Sequence, residues 1–306
     1  MTLHRRRFLC ISAAAFATGP ALAAAPLTRI HGQAMGTGVQ ILLAHPDAAA
    51  IGQRALAEIS RLEAIFSLHR DSALVRLNRD GRLVAPPPEF LDCLSIAGRL
   101  HRVTGGLFDP TVQPLWQLHA ARHAAGGPPS AAEIAEMRAR VGWQRVQFDT
   151  GLVQLAPGMA LTLNGIAQGH IADRVAALLS AEGLTDVLVD TGELVAPAGQ
   201  PGGGTWPVTL ADGQGRFALR GAALASSSVL GTSFDAGGAF GHILDPRTGQ
   251  PAPARWRLLS VTGPTATIAD AASTACCLMD RPDIDRTLAA LPGFRLAALV
   301  PYPATL

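Results

Sequence analysis

The sequence predicts an α+β fold in which mixed or antiparallel sheets are flanked by helices. The first half of the chain carries apolar residues at helical spacing, whereas the part after Asp186 consists mostly of short β-rich runs. Most of those runs are separated by turns too short for the crossover that parallel strands require. We therefore expect mainly antiparallel strand neighbours, with helices covering the sheets.

The predicted elements follow one another without an internal repeat. Two strands over 28–44 surround a glycine-containing turn, and residues 47–66 have an apolar stripe typical of a helix, with Asp47 at its N-cap. Ser130 and Glu133 have the spacing of a capping box. The remaining predictions are helices at 88–100, 130–141, 164–182, 268–279 and 283–291, and strands at 187–189, 206–210, 217–219, 243–244, 258–261 and 296–300.

Composition places the chain among folded globular proteins and excludes several chemistries. Of its 306 residues 48% are hydrophobic and 16% charged, which is enough for a sizeable core. All 25 basic residues are arginines, so a Schiff-base lysine and a P-loop lysine are both excluded. Without residues 1–23, which hold three arginines and no acid, 22 basic and 23 acidic residues leave a net charge of −1. Such a charge gives no support to a nucleic-acid partner.

The N-terminus has the pattern of an export signal. Arginines at 5–7 precede Phe8 and Leu9, and an alanine-rich, weakly apolar run continues to Ala25 with an Ala-x-Ala cleavage site at 21–23. Paired arginines before Phe-Leu resemble a twin-arginine signal. We predict a signal peptide over 1–25, a mature domain over 26–306 and a periplasmic location. An uncleaved membrane anchor is the alternative. No later segment is long and apolar enough to span a membrane.

The segment from Gly241 to Gly249, Gly-His-Ile-Leu-Asp-Pro-Arg-Thr-Gly, concentrates reactive groups between turn-forming residues. It brings together a titratable base, His242, a carboxylate, Asp245, and a guanidinium, Arg247. A histidine is the natural base for a hydroxyl nucleophile near neutral pH. Arg247 either assists the chemistry or forms a structural pair with Asp245.

Four further segments have both a functional and a structural interpretation. Residues 35–38, Met-Gly-Thr-Gly, form either a ligand-contacting turn or a simple hairpin. Residues 104–112 follow a helix with two glycines and then Phe-Asp-Pro, which suits either a flat ring ligand or a helix C-cap. Residues 164–173 place glycines at a helix start, for an anion or for close packing. Asp270 and Thr274 share one helix face and suit a hard cation, or are a helix acid and a buried threonine.

Read in order, these segments resemble the ApbE family of FAD:protein FMN transferases. The resemblance covers nearly all of the chain from residue 28 to 300. The matching motifs are Met35-Gly36-Thr37, Phe66-Ser67 with 71–74 and Asn78, Gly106 to Val112, Gly165 to Gly169 with Asp173, His242 to Gly249, and Ala269-Asp270 to Ala275.

The resemblance implies two closely joined lobes with a flavin-nucleotide cleft between them, Mg²⁺ as cofactor and FAD as substrate. FMN would pass from FAD to a Thr or Ser hydroxyl of an acceptor flavoprotein in a respiratory or electron-transfer complex, with release of AMP. His242 would be the catalytic base. The metal would be held by Asp270, Thr274 and the carbonyl of Gly165, with Ser273 as a helper. The FAD site would include Met35, His69, Leu107, Phe108, Asp109, Thr162, Gln168 and Ile243.

Several positions depart from the family pattern and keep alternatives open. Thr162 stands where an Asp is common, Gln168 where a Lys or Glu is usual, and His69 where an aromatic residue is usual. The alternatives are an FAD pyrophosphatase that yields free FMN and AMP, and a non-catalytic FAD-binding accessory protein. A serine hydrolase is disfavoured because the chain has no Gly-x-Ser-x-Gly elbow.

Overall fold

The computed structural model describes residues 9–11, 25–210 and 215–303. Its strands are β1 Leu9–Ile11, β2 Leu27–Ala34, β3 Thr37–Ala44, β4 Arg82–Val84, β5 Gln147–Phe148, β6 Leu152–Gln154, β7 Leu188–Asp190, β8 Leu194–Ala196, β9 Trp206–Leu210, β10 Arg216–Leu219, β11 Ala222–Ser227, β12 Trp256–Gly263 and β13 Arg295–Pro301. Its helices are α1 Ala48–Phe66, α2 Ala73–Asp80, α3 Pro88–Val103, α4 Gln113–Ala124, α5 Ala131–Arg138, α6 Ala167–Ala181, α7 Ala266–Cys276 and α8 Arg281–Ala289. Short 3-10 turns lie at Pro110–Val112 and Trp143–Arg145.

A seven-stranded sheet organises the fold. Its strand order is β13-β12-β11-β8-β7-β3-β2, and the strand pairs within it are antiparallel. The predicted α+β class with flanking helices is therefore confirmed, and the sheet is antiparallel rather than mixed. The predicted division into two joined lobes stays a prediction.

The first hairpin ends in a strained two-residue turn. Ala34 pairs with Thr37, so Met35 and Gly36 form the turn, with φ values of 49° and 73°. Two positive φ values are those of a type I′ turn, which matches the twist of the flanking strands. A non-glycine residue in this region costs roughly 1–3 kcal/mol, and such residues cluster at functional sites. The Met35 N–H donates to the Glu63 carboxylate 2.5 Å away, which holds the turn against α1.

Helices α6 and α7 pack closely and bring two predicted site segments together. A side chain on Gly169 would collide with the backbone of Ala266 and Thr267, so only glycine permits this approach. Its N–H donates to Asp270 Oδ2 over 3.1 Å. The predicted helices 164–182 and 268–279 are confirmed with shifted ends, because α6 begins at Ala167 and α7 at Ala266.

Two small sheets complete the architecture. One has the order β4-β6-β5, and the other has the order β1-β9-β10. Most of the predicted signal segment 1–25 lies outside the described residues, and of that segment Leu9–Ile11 pairs antiparallel with β9. The strand predicted at 243–244 is wrong, since that run forms only an isolated bridge from Leu244 to Pro251. In the part of the chain that the structure describes, no helix has the length and apolarity to cross a bilayer.

Candidate active site

One cavity of about 730 Å³ collects almost all of the predicted site residues. Its walls come from the β2–β3 turn, the segment after α3, the N-terminal part of α4, the segment before α6, the end of β11 and one face of α7. The predicted residues that line it are Met35, His69, Leu107, Phe108, Asp109, Thr162, Gly165, Gln168, His242, Ile243, Asp270 and Thr274. The structure therefore brings these residues to one cavity, although they are up to 239 residues apart in the chain.

His242 enters the cavity from a tight hairpin. Its backbone N–H donates to the carbonyl oxygen of Thr232 over 3.1 Å, and its Nδ1 lies 3.0 Å from the same oxygen. A carbonyl only accepts hydrogen bonds, so Nδ1 carries the proton and the lone pair of the neutral ring is on Nε2. This is the tautomer that a general base needs.

The predicted metal residues lie side by side. Thr274 packs on Gly165, where a Cβ would meet its Oγ1 at 3.1 Å, and Asp270 lies one turn earlier on α7. Ser273 does not line the cavity, which corrects its expected role as a direct helper. It is fully buried, and its Oγ lies 2.6 Å from Ser227 Oγ, which does line the cavity.

Asp173 fixes the start of the helix that carries these residues. Its carboxylate accepts from the backbone N–H of Ala266 and of Thr267, each over 2.8 Å, and from the Thr267 hydroxyl. Burial raises the pKa of Asp173 above its ordinary value, while these three donors favour the charged form. The side chain therefore acts as an N-cap for α7 supplied by α6.

The segment after α3 provides apolar side chains to the cavity and a carboxylate that accepts hydrogen bonds from nearby backbone. Leu107 and Phe108 line the cavity. Asp109 Oδ1 accepts from the N–H and hydroxyl of Thr111 at 2.8 and 2.6 Å, and Oδ2 accepts from the N–H of Trp143 at 3.2 Å. Both oxygens of Asp109 thus stabilise the loop, and its place in the FAD site stays a prediction.

Gln168 forms a neutral hydrogen-bonded brace in the cavity wall. Its Nε2 donates to Thr37 Oγ1 and to the Thr191 carbonyl, each over 3.0 Å, while the Thr191 hydroxyl donates back to the Gln168 carbonyl. Gly192, with φ of 107°, leaves the space that the amide fills. This amide connects the β2–β3 turn with the β7–β8 turn on the cavity wall.

Thr162 lines the cavity next to a second amide brace. The amide of Asn78 accepts from the Leu161 N–H at 2.7 Å and donates to the Leu161 carbonyl at 2.8 Å. The N–H of Thr162 donates to the Pro110 carbonyl at 2.8 Å. His69 is exposed where the α1–α2 loop reaches the cavity.

The electrostatics of the cavity favour a bound cation. Asp109, Asp190, Glu193 and Asp270 line it, and no arginine is among the described lining residues. The donors near α7 are a carboxylate, hydroxyls and carbonyls, which suit a hard cation that keeps water and phosphate ligands. Across residues 25–210 and 215–303 no three His, Cys, Asp or Glu side chains are grouped as a metal cage. The donor set therefore fits Mg²⁺ and does not fit a structural zinc ion.

Arg247 pairs with Asp245 outside the cavity. Its Nε and Nη2 donate to the two carboxylate oxygens at 3.0 and 2.7 Å, and its side chain is 61% exposed. Burial would raise the pKa of Asp245, but the hydrogen bonds from Arg247 bring it below its ordinary value. Arg247 thus forms the structural pair with Asp245 that was one of its two predicted roles.

Several cavity residues were not predicted as site residues. They are Thr37, Asn78, Gln113, Trp116, Asp190, Glu193, Ser227 and Thr232, among others. A signal existed for Glu193, which follows a β-strand and a glycine in the sequence. Trp116 could not be found, because the helix that carries it was not predicted.

Comparison with known proteins identifies the family. The ApbE family model matches residues 35–298. This chain belongs to the ApbE family. An FAD:protein FMN transferase from Klebsiella pneumoniae (strain 342) is 28% identical over 86% of this chain and 81% of its own length. One from Treponema pallidum (strain Nichols) is 29% identical over 77% and 73%.

Solved ApbE structures share the fold. The ApbE protein from Thermotoga maritima superposes with a TM-score of 0.79 at 26% identity, covering 91% of this chain and 97% of that one. The apo form of the Pseudomonas stutzeri flavinyl transferase ApbE gives a TM-score of 0.76 at 25% identity, with 92% and 97% covered. The family, the fold and the transferase class predicted from the sequence are thus confirmed.

Proposed function

We propose that this protein transfers FMN from FAD to a Thr or Ser hydroxyl of an acceptor protein and releases AMP, with Mg²⁺ as cofactor. The observation that carries the proposal is that His242, in the tautomer of a base, opens into the same cavity as Asp270, Thr274 and Gly165. The names of the relatives support the transfer of FMN from FAD to protein.

The reaction assigns a role to each group. His242 Nε2 takes the proton of the acceptor hydroxyl as its oxygen bonds to the phosphorus of the FMN half. The bond from that phosphorus to the bridging oxygen breaks, and AMP leaves with that oxygen. Asp270, Thr274 and the Gly165 carbonyl would hold Mg²⁺, which offsets negative charge on the pyrophosphate and the departing phosphate. That compensation is needed because the described residues of the wall include carboxylates and no arginine.

The test incubates the purified protein with FAD and Mg²⁺, with and without an acceptor protein, and distinguishes three outcomes. The acceptor is a co-expressed flavin-carrying subunit of an Rnf-type or sodium-pumping quinone reductase, and its mass is followed. We expect the acceptor to gain the mass of FMN less one water, at a hydroxyl residue, with AMP in equal amount. AMP and free FMN both with and without the acceptor would indicate an FAD pyrophosphatase. FAD binding without AMP would indicate a non-catalytic accessory protein.

His242→Ala is the matched variant for this assay. General-base catalysis contributes about 10²–10⁴-fold to a rate, so transfer falls by that order while FAD still binds. Arg247→Ala is the control, because Arg247 is exposed and does not line the cavity. Full transfer by His242→Ala would refute the assignment of the base.

The proposal includes export to the periplasm and an acceptor in an electron-transfer complex. It is supported by the arginines at 5–7, the apolar run after them and the resemblance to twin-arginine signals. Lysine at all three positions keeps the positive charge but removes the paired arginines that define a twin-arginine signal. We therefore expect this variant to remain in the cytoplasm in a fractionation assay. A periplasmic lysine variant would contradict twin-arginine export.

A further inference from the structure

Two consecutive turns flank His242, and both contact helix α4. The turn before it spans Thr232 to His242, with a bridge from Ser233 to Gly241 and a 2.8 Å hydrogen bond from the Phe234 N–H to the Phe240 carbonyl. The turn after it spans 243–252 and is closed by the Ala252 N–H, which donates to the Ile243 carbonyl over 2.8 Å.

His119 of α4 contacts both turns. Its ring stacks on Phe234 with centroids 5.4 Å apart and an interplanar angle of 21°. Its Nε2 lies 2.8 Å from the carbonyl oxygen of Gly249 and donates to it. His119 is 1% exposed, and Phe234 is equally buried. The side chain of His119 thus connects the two turns that set the position of His242.

The chemistry of His119 indicates a role beyond filling space. With the proton on Nε2, the buried Nδ1 is an acceptor without a hydrogen-bond partner. Leaving such a buried polar atom unpaired is unfavourable, and a leucine at the same place would avoid that cost. The hydrogen bond that Nε2–H donates to the Gly249 carbonyl is what a histidine provides here and a leucine does not.

The same helix forms part of the cavity wall. Gln113, Trp116 and Gln117 of α4 line the cavity, and the Trp116 ring lies 5.4 Å from Phe234. A displacement of either turn relative to α4 would therefore move His242 relative to the substrate. Such a displacement of about 1 Å is enough to cost a large factor in rate.

We propose that His119 is a positioning residue. It keeps His242 in place relative to the cavity by anchoring the two turns that flank His242 to α4. This inference rests on the proposed function, because it takes His242 as the base. His119 lies behind the turns and does not line the cavity. Its loss should therefore lower kcat and leave FAD binding nearly unchanged.

The test compares His119→Leu with His119→Gln in the full-length protein. Leucine fills the space without a donor, whereas glutamine places an amide N–H at the same number of bonds from the backbone. We expect kcat for AMP release to fall at least 10-fold in His119→Leu, with KM for FAD within twofold. Glutamine should restore most of kcat. Rates are expressed per folded protein, measured by circular dichroism.

A spectroscopic readout separates positioning from stability. In ¹⁵N-histidine-labelled protein the Nδ1–H of His242 gives a protected resonance because of its bond to Thr232. We expect that resonance to exchange faster in His119→Leu and to be retained in His119→Gln. If His119→Leu does not fold, Phe234→Leu removes the stack instead and should show the same fall in kcat.

The outcomes distinguish two failures. Wild-type kcat in folded His119→Leu, or in Phe234→Leu where the first does not fold, overturns the inference while turnover by the wild type leaves the proposed function intact. No AMP release by the wild type overturns the proposed function and the inference with it. Full activity of His242→Ala refutes the assignment of the base, and therefore also the inference. A lower kcat with an equally raised KM for FAD would also overturn positioning, since it indicates lost binding.

Discussion

Asp270 is the residue on which the metal assignment depends. It is 4% exposed and supplies the carboxylate of the α7 donor group, and the Gly169 N–H donates to its Oδ2. Hard cations bind anionic oxygen more strongly than amide oxygen. The negative charge of this one side chain is therefore more important for the metal than its shape.

Asp270→Asn tests that point with little change in volume. The amide oxygen can still accept from Gly169, so we expect the fold to persist. The Mg²⁺ concentration for half-maximal AMP release should rise at least 10-fold, as measured by titration. Ser227→Ala is the control for polar loss on the same wall and should raise it less. An unchanged Mg²⁺ requirement in Asp270→Asn would refute the site.

Single residues in short motifs could be predicted, and residues whose role depends on tertiary contacts could not. His242 and Asp270 could be named as candidates because their neighbours form dense local patterns. The roles of Asn78 and Gln168 as braces depend on partners 83 and 23 residues away. Ser273 has the right chemistry for a metal, but helical geometry turns it behind Ser227.

At the level of elements, the contact between α6 and α7 brings together the residues proposed to hold the metal. Gly169 allows the two helices to meet, and Gly165 leaves room for Thr274. We predict that Gly169→Ala destabilises the protein by about 1–3 kcal/mol, the usual cost of overpacking, and raises the Mg²⁺ requirement.

Urea unfolding and Mg²⁺ titration check this prediction against a glycine outside any contact. At Gly127 an added Cβ would meet nothing within 4 Å, and φ is not in the left-handed region. Gly127→Ala should therefore leave both quantities unchanged or slightly raise stability. Equal stability of the two variants would show that the helices can separate without cost.

The N-cap that Asp173 supplies to α7 gives a second test at this scale. Asp173→Ala removes three accepted hydrogen bonds at the start of α7, and loss of a cap costs about 1 kcal/mol. Asp280→Ala removes the cap of α8, whose side chain accepts from the Asp283 N–H. Both should lower the unfolding midpoint in urea.

Only the first of these two cap variants should alter the Mg²⁺ dependence of AMP release. The reason is that α7 carries Asp270 and Thr274, while no residue of α8 lines the cavity. Equal Mg²⁺ requirements in the two variants would contradict a positioning role for Asp173.

Long helices with an apolar stripe, or with a capping box, were predictable, but helix α2 was missed although Ala73, Leu74 and Leu77 form its buried face. The stripe of α1 and the capping box of α5 are confirmed. Helix α4 was missed because its buried face is Gln113, Pro114, Leu115 and His119, with only one aliphatic side chain. The strands β4, β5 and β6 are two or three residues long, which is too short for an alternating pattern.

At the scale of the whole molecule, His119 and His170, which are buried in the described part of the chain, make stability depend on pH. Burial lowers the pKa of His119 and of His170 below their ordinary value of 6.5. The carboxylate of Asp92, 4.0 Å from His170, opposes the shift but is largely exposed. The folded state therefore keeps both rings neutral where the unfolded chain takes up protons.

We predict that the free energy of unfolding falls as the pH drops below 6.5 toward the folded-state pKa values. Each histidine contributes at most about 1.4 kcal/mol per pH unit. Urea unfolding at pH 7.5 and 5.5 should show a smaller difference in His170→Leu than in the wild type. Exposed His31→Gln serves as the control and should match the wild type. An equal difference in His170→Leu would refute the neutral buried ring.

The order of the seven strands could not be read from the sequence. Pairing of β3 with β7 and of β11 with β8 depends on contacts between distant segments, and many orders satisfy the same apolar pattern. The antiparallel character was predictable, since turn lengths determine it locally.

Because the cavity draws on residues from 35 to 278, no product of early translation can contain it. A ribosome must have synthesised the chain beyond Asp270 before that residue can reach Gly165. Fragments truncated before Asp270 should neither be protected by bound nucleotide nor release AMP. Catalytic activity therefore arises only after that part of the chain has been synthesised.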